Sequence, residues 1–271
     1  MTDKELEKIL AKSIQLSNEF ICDQSEHIYK HYRLYNVDYN IQIIINFFYS
    51  IIETTDGIYS LTFDKNAGSI NALSRIQYES VIQFLTMLDH NYRENILSYE
   101  YHQVKDIINK NNYLMSVSNK FKSNKFKQEQ EKLRNYLNST KFEKIRQKIP
   151  KDLKYTNWFI VTRGKPKTIN QLIKKYFETT QLLDNRVVTM YYSLLSGNIH
   201  NHNVDRLVQD GYLLPIRRDN LKDTSIDLVT MFMLASLIRL IEFLENELNM
   251  TITNKKEIIS FFNEMNSNLK E

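Results

Sequence analysis

The sequence predicts an all-α protein, a helical bundle that carries a basic helical insertion. Of its 271 residues, only 5 are glycine and 3 are proline, fewer than the turns of a β-sandwich or an α/β fold require. Hydrophobic residues make up 42% of the chain, which is enough to bury a substantial core. Along most of the chain they recur at three- and four-residue steps, the spacing of an amphipathic helix.

Two helices are expected before the first glycine. Residues 3–35 show helical periodicity, as one long helix or as two helices joined near Asp23. A second helix is predicted to begin at Asp38, a good N-cap residue, and to run to about Thr54. The Asp56-Gly57 pair that follows predicts a break.

Two further helices are expected before the basic segment. Capping residues and a glycine at 64–69 precede a helix with a wide apolar face. That face is predicted to carry Ile70, Leu73, Ile76, Tyr78, Val81, Phe84, Leu85 and Leu88. Arg75 and Glu79 are four residues apart and therefore lie on the same side of this helix. The next helix is predicted from about Tyr92 to Asn111.

The basic segment, residues 120–148, is predicted to form a helical hairpin or one long surface helix that ends at Pro150. Trp158 follows in a short stretch that is β-prone or irregular. Thr168 and Gln171 have the spacing of a capping box, which predicts the start of another helix.

The C-terminal part is predicted to contain three more helices. Asp184 caps a helix that ends near Leu195, and residues 204–222 form a long connection with no clear period. Thr224 and Asp227 are spaced to cap a long helix that ends at about Asn249. Residues 254–268 predict a shorter amphipathic helix.

We expect these elements to form one helical domain over residues 1–271. Its predicted parts are an N-terminal helical extension at 1–37, a core bundle at 38–116 and 155–250, a basic helical insertion at 117–154 and a C-terminal helix or tail at 251–271.

The chain has the features of a cytoplasmic protein without a membrane segment. Cys22 is the only cysteine, so there is no internal disulfide framework. The charged N-terminus does not resemble a secretion signal. The most apolar run, Leu228–Leu244, contains Arg239 and Glu242 and is shorter than the ~20 residues needed to span a bilayer.

Positive charge is concentrated in residues 117–154, which contain twelve Lys or Arg and four Asp or Glu, a net charge of +8. The whole chain carries +4, so the other residues carry 4 − 8 = −4. Cations interleaved with aromatic residues suit phosphates and stacked bases, whereas most lysine-rich helices are only solvated faces. The candidate nucleic-acid-binding residues are Lys120, Lys122, Lys125, Lys127, Lys132, Arg134, Lys141, Lys144, Arg146 and Lys148.

A second candidate site is the end of an apolar helix, residues 191–203, which opens at Gly197 into polar side chains. An imidazole there can act as acid or base near neutral pH, or it can simply cap C-terminal helix carbonyls. The candidate catalytic residues are His200, Arg75, Glu79, Tyr192, Asn201 and His202.

Three motifs in this chain carry a family resemblance. They are Ala72-Leu-Ser-Arg-Ile-Gln-Tyr-Glu79, Lys167-Thr-Ile-Asn-Gln-Leu172 and Tyr192-Ser-Leu-Leu-Ser-Gly-Asn-Ile-His200, with Trp158 between the first two. Over roughly residues 40–245 the chain resembles the DUF5677 family of uncharacterised bacterial proteins. That family is similar to the helical HEPN proteins, many of which are ribonucleases of toxin–antitoxin and phage-defence systems.

The resemblance implies that Arg75, Glu79, Tyr192 and His200 face one another across a helical bundle. A metal-independent ribonuclease needs a base, an acid and a cation for the phosphate. His200 would be acid or base and Arg75 the phosphate ligand, with Asn201, His202 and Tyr192 as supporting donors. HEPN nucleases usually carry an arginine four to six residues before the histidine, whereas the nearest one before His200 is Arg186.

The leading hypothesis is therefore an RNA-cleaving effector of phage defence or a toxin–antitoxin module. The resemblance also implies a homodimer, and an antitoxin or other partner protein is possible. The rival is a non-enzymatic module that binds nucleic acid or a protein through residues 120–148, and a third reading is a purely structural polar network. Phosphate loops, nucleophile elbows and dinucleotide fingerprints are absent from the sequence, and we expect neither cofactor nor metal.

Overall fold

The computed structural model describes residues 2–35, 39–89, 91–118, 123–150, 157–162, 164–180, 192, 208–209, 212–213, 217, 221 and 225–268. In these ranges the helices are α1 (Asp3–Tyr35), α2 (Tyr39–Thr62), α3 (Ala67–Met87), α4 (Tyr92–Val117), α5 (Asn124–Asn138), α6 (Glu143–Lys148), α7 (Ile169–Thr180), α8 (Ile226–Leu248) and α9 (Lys255–Asn268). Short 3-10 turns cover Thr140–Phe142 and Trp158–Val161. Two-residue strands, Val208–Gln209 and Tyr212–Leu213, pair antiparallel. The predicted all-α class is confirmed.

The chain divides into two compact units. Unit 1 consists of Met1–Leu88 and Tyr176–Glu271, and unit 2 consists of Asp89–Lys175. The predicted basic insertion, residues 117–154, lies within unit 2, which also includes α4 and Trp158. The description of the chain as one domain stays a prediction.

Unit 1 is organised around α8, which contacts α1, α2, α3 and α9. A helix surrounded by neighbours needs apolar residues on most sides, and the apolar run predicted as a buried helix lies within α8. One core cluster consists of Leu6, Leu10, Ile58, Ile70, Leu221, Ile226 and Val229. Another consists of Leu16, Leu234, Phe261 and Met265.

The predicted break at Asp56-Gly57 is wrong, because α2 continues through this pair to Thr62. Thr55, Ile58 and Thr62 are buried and extend the buried stripe of the helix past the glycine. Glycine costs a helix about 1 kcal/mol relative to alanine, whereas burying an isoleucine side chain contributes about 1.5–3 kcal/mol. Burial therefore outweighs local propensity.

Several helix ends follow their capping signals. Asn66 caps α3 by accepting a hydrogen bond from Ser69 N (3.2 Å). Thr168 Oγ1 accepts from Gln171 N (3.3 Å), as the capping box predicts, although the Gln171 side chain accepts from Lys167 N. Asn249, in the left-handed region with φ 51°, ends α8 where a helix end was predicted.

Three other details correct the sequence predictions. The helix expected to end at Asn111 continues to Val117, and Asn111 and Asn112 bond Gln130 of α5. The N-cap of α8 is Ser225, whose hydroxyl contacts Asn71 Oδ1 and makes no cap hydrogen bond, while Thr224 lies outside the described residues. Ile76, predicted on the apolar face of α3, is 51% exposed.

In unit 2, α4 packs against the basic segment and the Trp158 turn. Ser98 Oγ donates to the Trp158 carbonyl (2.6 Å), and Phe142 and Ile145 are fully buried. The basic segment is neither a hairpin nor one helix: α5, the 3-10 turn and α6 follow one another along α4. This is closer to the single-helix alternative.

Within the described ranges, no helix has both the length and the apolar character that crossing a bilayer requires.

Candidate functional site

Three of the predicted catalytic residues meet in unit 1. Arg75 Nε donates to Glu79 Oε1 at 2.9 Å, and the Tyr192 hydroxyl donates to the same oxygen at 2.8 Å. A longer contact of 3.4 Å joins Arg75 Nη2 to the Tyr192 hydroxyl oxygen. The pair expected from the i,i+4 spacing is thus confirmed, and a tyrosine distant in sequence completes it. We call these residues the Arg75 triad.

The Arg75 triad lies at the edge of the core. The Tyr192 side chain is 5% exposed, whereas the side chains of Arg75 and Glu79 are 17% and 29% exposed. Tyr192 packs its ring on Tyr78, and Tyr78 packs edge-on against Phe232 of α8. The apolar side of Tyr192 is therefore fixed by the core, while the charged pair reaches solvent.

Burial and hydrogen bonding set the protonation states of the triad. Burial raises the pKa of Tyr192, and its hydrogen bond to Glu79 raises it further, so the phenol stays neutral and donates. Partial burial lowers the pKa of Arg75, but its bonds to Tyr192 and Glu79 outweigh this effect and raise it. The guanidinium also lies 5.4 Å from the centre of the Tyr192 ring, a cation–π contact. The triad presents a permanently charged, oriented cation.

Four of the predicted nucleic-acid-binding residues are engaged within unit 2. Lys141 Nζ donates to Glu100 (2.8 Å) and to the Tyr136 hydroxyl (2.7 Å). Lys148 pairs with Glu94 of α4. Arg146 donates to the carbonyls of Leu137 and Ser139, which satisfies the C-terminal end of α5. Arg134 Nη2 donates to Asn112 Oδ1 at 3.0 Å.

Four other predicted residues are available to a partner. The ammonium groups of Lys125, Lys127, Lys132 and Lys144 are exposed and make no ion pair or hydrogen bond with another described residue. The basic segment therefore contains two classes of cation. Some are bonded within unit 2, mostly to α4, and others face solvent without an ion pair to a described residue.

The comparison with protein families matches residues 41–209 to the family described as "Family of unknown function (DUF5677)". This range covers more than half of the 271 residues and includes all three motifs and Trp158. The chain belongs to the DUF5677 family. The match begins where the resemblance was expected to begin and ends before residue 245. Searches of curated proteins and of solved structures gave no significant match.

Some predicted site residues of this DUF5677 protein lie outside the described part of the chain. They are His200, Asn201, His202, Lys120 and Lys122. Their roles stay predictions. Among the residues that the structure does describe, no group of three or more His, Cys, Asp or Glu is arranged to hold a metal ion.

The sequence reasoning missed the partners that α4 supplies to the basic segment. Glu94 and Glu100 neutralise Lys148 and Lys141 across 54 and 41 positions of sequence. Local charge counting cannot detect such pairs. The signal in the sequence is that the acids of α4 and the lysines of the basic segment are similarly spaced. Testing an antiparallel pairing of the two segments would have found it.

The Arg75 triad yields a stability prediction. Tyr192→Phe removes the hydroxyl that bonds a charged carboxylate, so it should lower the free energy of unfolding by about 1.5–3 kcal/mol. Urea denaturation followed by far-ultraviolet circular dichroism measures the change. Tyr49→Phe is the matched control, since Tyr49 is 45% exposed and its hydroxyl has no described partner. Equal stability of the two variants would show that the Tyr192 hydroxyl does not stabilise unit 1.

Proposed function

We propose that this DUF5677 protein binds nucleic acid through unit 2. The segregation of charge between the two units carries the proposal. Unit 2 contains 20 Lys or Arg and 8 Asp or Glu, a net of +12. The rest of the chain contains 16 and 24, a net of −8, which restores the total of +4. A compact unit with this excess attracts a polyanion over long range.

The side chains within unit 2 support the same proposal. Internal acids compensate Lys141 and Lys148, but Lys125, Lys127 and Lys132 project from α5 without a described partner. Concentrated like charges repel one another and oppose compact folding, so an anion that neutralises them relieves this repulsion. Phosphates of a nucleic acid chain supply that neutralisation and release counterions as they bind.

This proposal predicts a salt-sensitive affinity that depends on α5. The double change Lys125→Glu and Lys132→Glu should weaken binding of a fluorescent oligouridylate by at least ~10-fold. It should also make the slope of log K against log salt shallower by about 1.4, since each phosphate contact to a single strand contributes about 0.7. Fluorescence anisotropy titrations over a range of salt concentrations measure both quantities.

The matched control for this double change is Lys4→Glu with Lys8→Glu. These lysines are exposed on α1 of unit 1, and their reversal alters the net charge equally. The control should bind as the wild type does. An affinity that ignores salt, or equal losses in the two double variants, would contradict binding through unit 2.

A second candidate function is metal-independent cleavage of the bound RNA, in an effector of phage defence or a toxin–antitoxin module. The convergence of Arg75, Glu79 and Tyr192 at a solvent-accessible edge supports it. Arg75 would stabilise the charge of the transition state, with Glu79 and Tyr192 orienting its guanidinium. His200 would act as acid or base, supported by Asn201 and His202. A HEPN-like core, a homodimer and an antitoxin partner belong to this candidate.

Cleavage is tested with the purified full chain, a labelled RNA and a metal chelator. RNA should be cut without added metal, and His200→Ala should abolish the cut. Arg75→Ala should slow it by about 100- to 1,000-fold, the usual loss when one donor to a developing charge is removed. Arg239→Ala is the matched control, because Arg239 forms an exposed pair with Glu242 on α8.

Two outcomes would contradict the enzymatic candidate. Intact RNA at high protein concentration would remove the claim of cleavage. A His200→Ala variant that loses thermal stability but keeps the wild-type rate would assign the cluster a structural role.

A further inference from the structure

We propose that the distal half of the α4–α5 pair binds single-stranded nucleic acid, with a base stacked on Tyr113. The distal half is defined as residues 107–117 of α4 together with α5. The proposal rests on the proposed nucleic-acid binding and adds the place of contact and the strandedness of the ligand.

The direction of α5 relative to α4 divides the pair into two halves. Gln130 of α5 contacts Ile108 and Asn112, whereas Lys141 and Lys148, farther along the chain, contact Glu100 and Glu94. The two segments are therefore antiparallel. The acids of α4 that neutralise lysines lie in its first half, and residues 107–118 contain no Asp or Glu.

On the α4 side of the distal half, neutral amides take the place of the acids. Arg134 is held by the side-chain oxygen of Asn112, a neutral partner that orients the guanidinium without cancelling its charge. A guanidinium has five N–H donors, so one bond to an amide leaves the capacity for a bidentate phosphate contact. Arg134 and Lys127 line a groove between α4 and α5 that has a volume of about 440 Å³.

This groove between α4 and α5 also presents groups that recognise bases. Asn135 and Asn138 line it beside Lys127 and Arg134, and Glu131 also lines it, so the two cations outnumber the one acid. Carboxamides match the donor and acceptor pattern of base edges, and cations match phosphates. Gln130 lies at the bottom, 3% exposed, with its amide nitrogen bonded to the Ile108 carbonyl and to Asn112. These bonds therefore fix the position of α5 against α4 at the bottom of the groove.

A shallow, open patch lies on another face of α4. It is lined by Asn109, Lys110, Tyr113 and Leu114. Tyr113 is separated from Met115, which lines the groove, by about 200° of helical rotation, so the groove and the patch lie on nearly opposite sides of α4.

Tyr113 is the most exposed large hydrophobic residue in the described chain, at 67%. Val117, one turn farther along, is 59% exposed, and Lys110 lies one turn before Tyr113. An aromatic face beside a lysine offers stacking to a base and an ion pair to its phosphate. A duplex hides the faces of its bases in the stack, so only a single strand can use Tyr113 in this way.

Charge complementarity selects this ligand over an apolar protein partner. An apolar docking helix would have to bury Lys110 beside Tyr113, and the polar groove on the other side of α4 would gain nothing from it. A single strand that crosses α4 can place a base on Tyr113 and phosphates in the groove, because bases and phosphates alternate along it.

The test compares Tyr113→Ala with Phe63→Ala in the full-length chain. Phe63 is 65% exposed on unit 1 and is a matched exposed aromatic. Anisotropy titrations would use a labelled oligouridylate, an oligodeoxythymidylate and a duplex RNA at low salt. Tyr113→Ala should weaken binding of both single strands by roughly 10- to 100-fold and leave duplex binding unchanged. Tyr113→Phe should restore single-strand affinity, and Phe63→Ala should bind like the wild type.

The outcomes separate this inference from the proposed function. If the wild type binds none of the three probes, both proposals fail. If the wild type binds with the predicted salt dependence but Tyr113→Ala binds equally well, the stacking site is wrong and the proposed function stands. Equal losses of affinity for the single strands and the duplex would also overturn the stacking site. Trp158 fluorescence, which reports on unit 2, verifies that the variants are folded.

Discussion

One buried amide, that of Gln130, holds the basic helix in place. Gln130 is the only buried residue of α5, so this helix docks on α4 without an apolar core of its own. Its amide nitrogen bonds the Ile108 carbonyl (2.9 Å) and Asn112 Oδ1 (3.0 Å), and its oxygen accepts from Asn111 Nδ2 (3.0 Å). A buried amide with all these partners fixes register, because any slip leaves polar groups unsatisfied. The lysines of α5 are thereby held toward solvent.

Each unit contains the same chemical arrangement: a tyrosine hydroxyl and a cation that share a glutamate. In unit 1 the members are Arg75, Glu79 and Tyr192. In unit 2 the Tyr136 hydroxyl and Lys141 both contact Glu100. Burial and the neighbouring carboxylate raise the pKa of both tyrosines, so each phenol remains a donor at neutral pH. The neutral donor lets one carboxylate hold two groups without like-charge repulsion.

The two arrangements differ in what they orient. In unit 2 the contacts of Glu100 hold the basic segment on α4, so their role is structural. In unit 1 the triad lies beside the core, and the side chains of Arg75 and Glu79 stay partly exposed, at 17% and 29%. The distinction agrees with the two proposals, in which unit 2 binds nucleic acid and residues of unit 1 would cleave it.

Much of the fold was predictable from the sequence because it depends on local patterns. Periodicity located the helices, and the Thr168 cap forms as its spacing predicts. Asn66, in the stretch 64–69 that was expected to contain capping residues, caps α3. Where burial outweighed a local signal, as at Gly57, the prediction failed. The i,i+4 spacing of Arg75 and Glu79 predicted that they lie on one side of the helix. The family resemblance predicted that Tyr192 faces them.

The functional division of the basic residues was not predictable in this way. Whether a lysine is paired depends on which α4 residue faces it, and that in turn depends on the register that Gln130 sets. Tyr113 was missed because the helix was predicted to end at Asn111. Only the continuation of α4 brings this tyrosine onto a helical face with Lys110.

Photo-crosslinking maps the contact surface most directly. An oligouridylate that contains 4-thiouridine would be irradiated in complex with the full-length protein, and the attached peptides identified by mass spectrometry. Binding at the distal half predicts that crosslinks concentrate in residues 107–117 and in α5, with Tyr113 among the attached residues. Crosslinks confined to unit 1, or to α6 with its paired Lys148, would contradict the central claim.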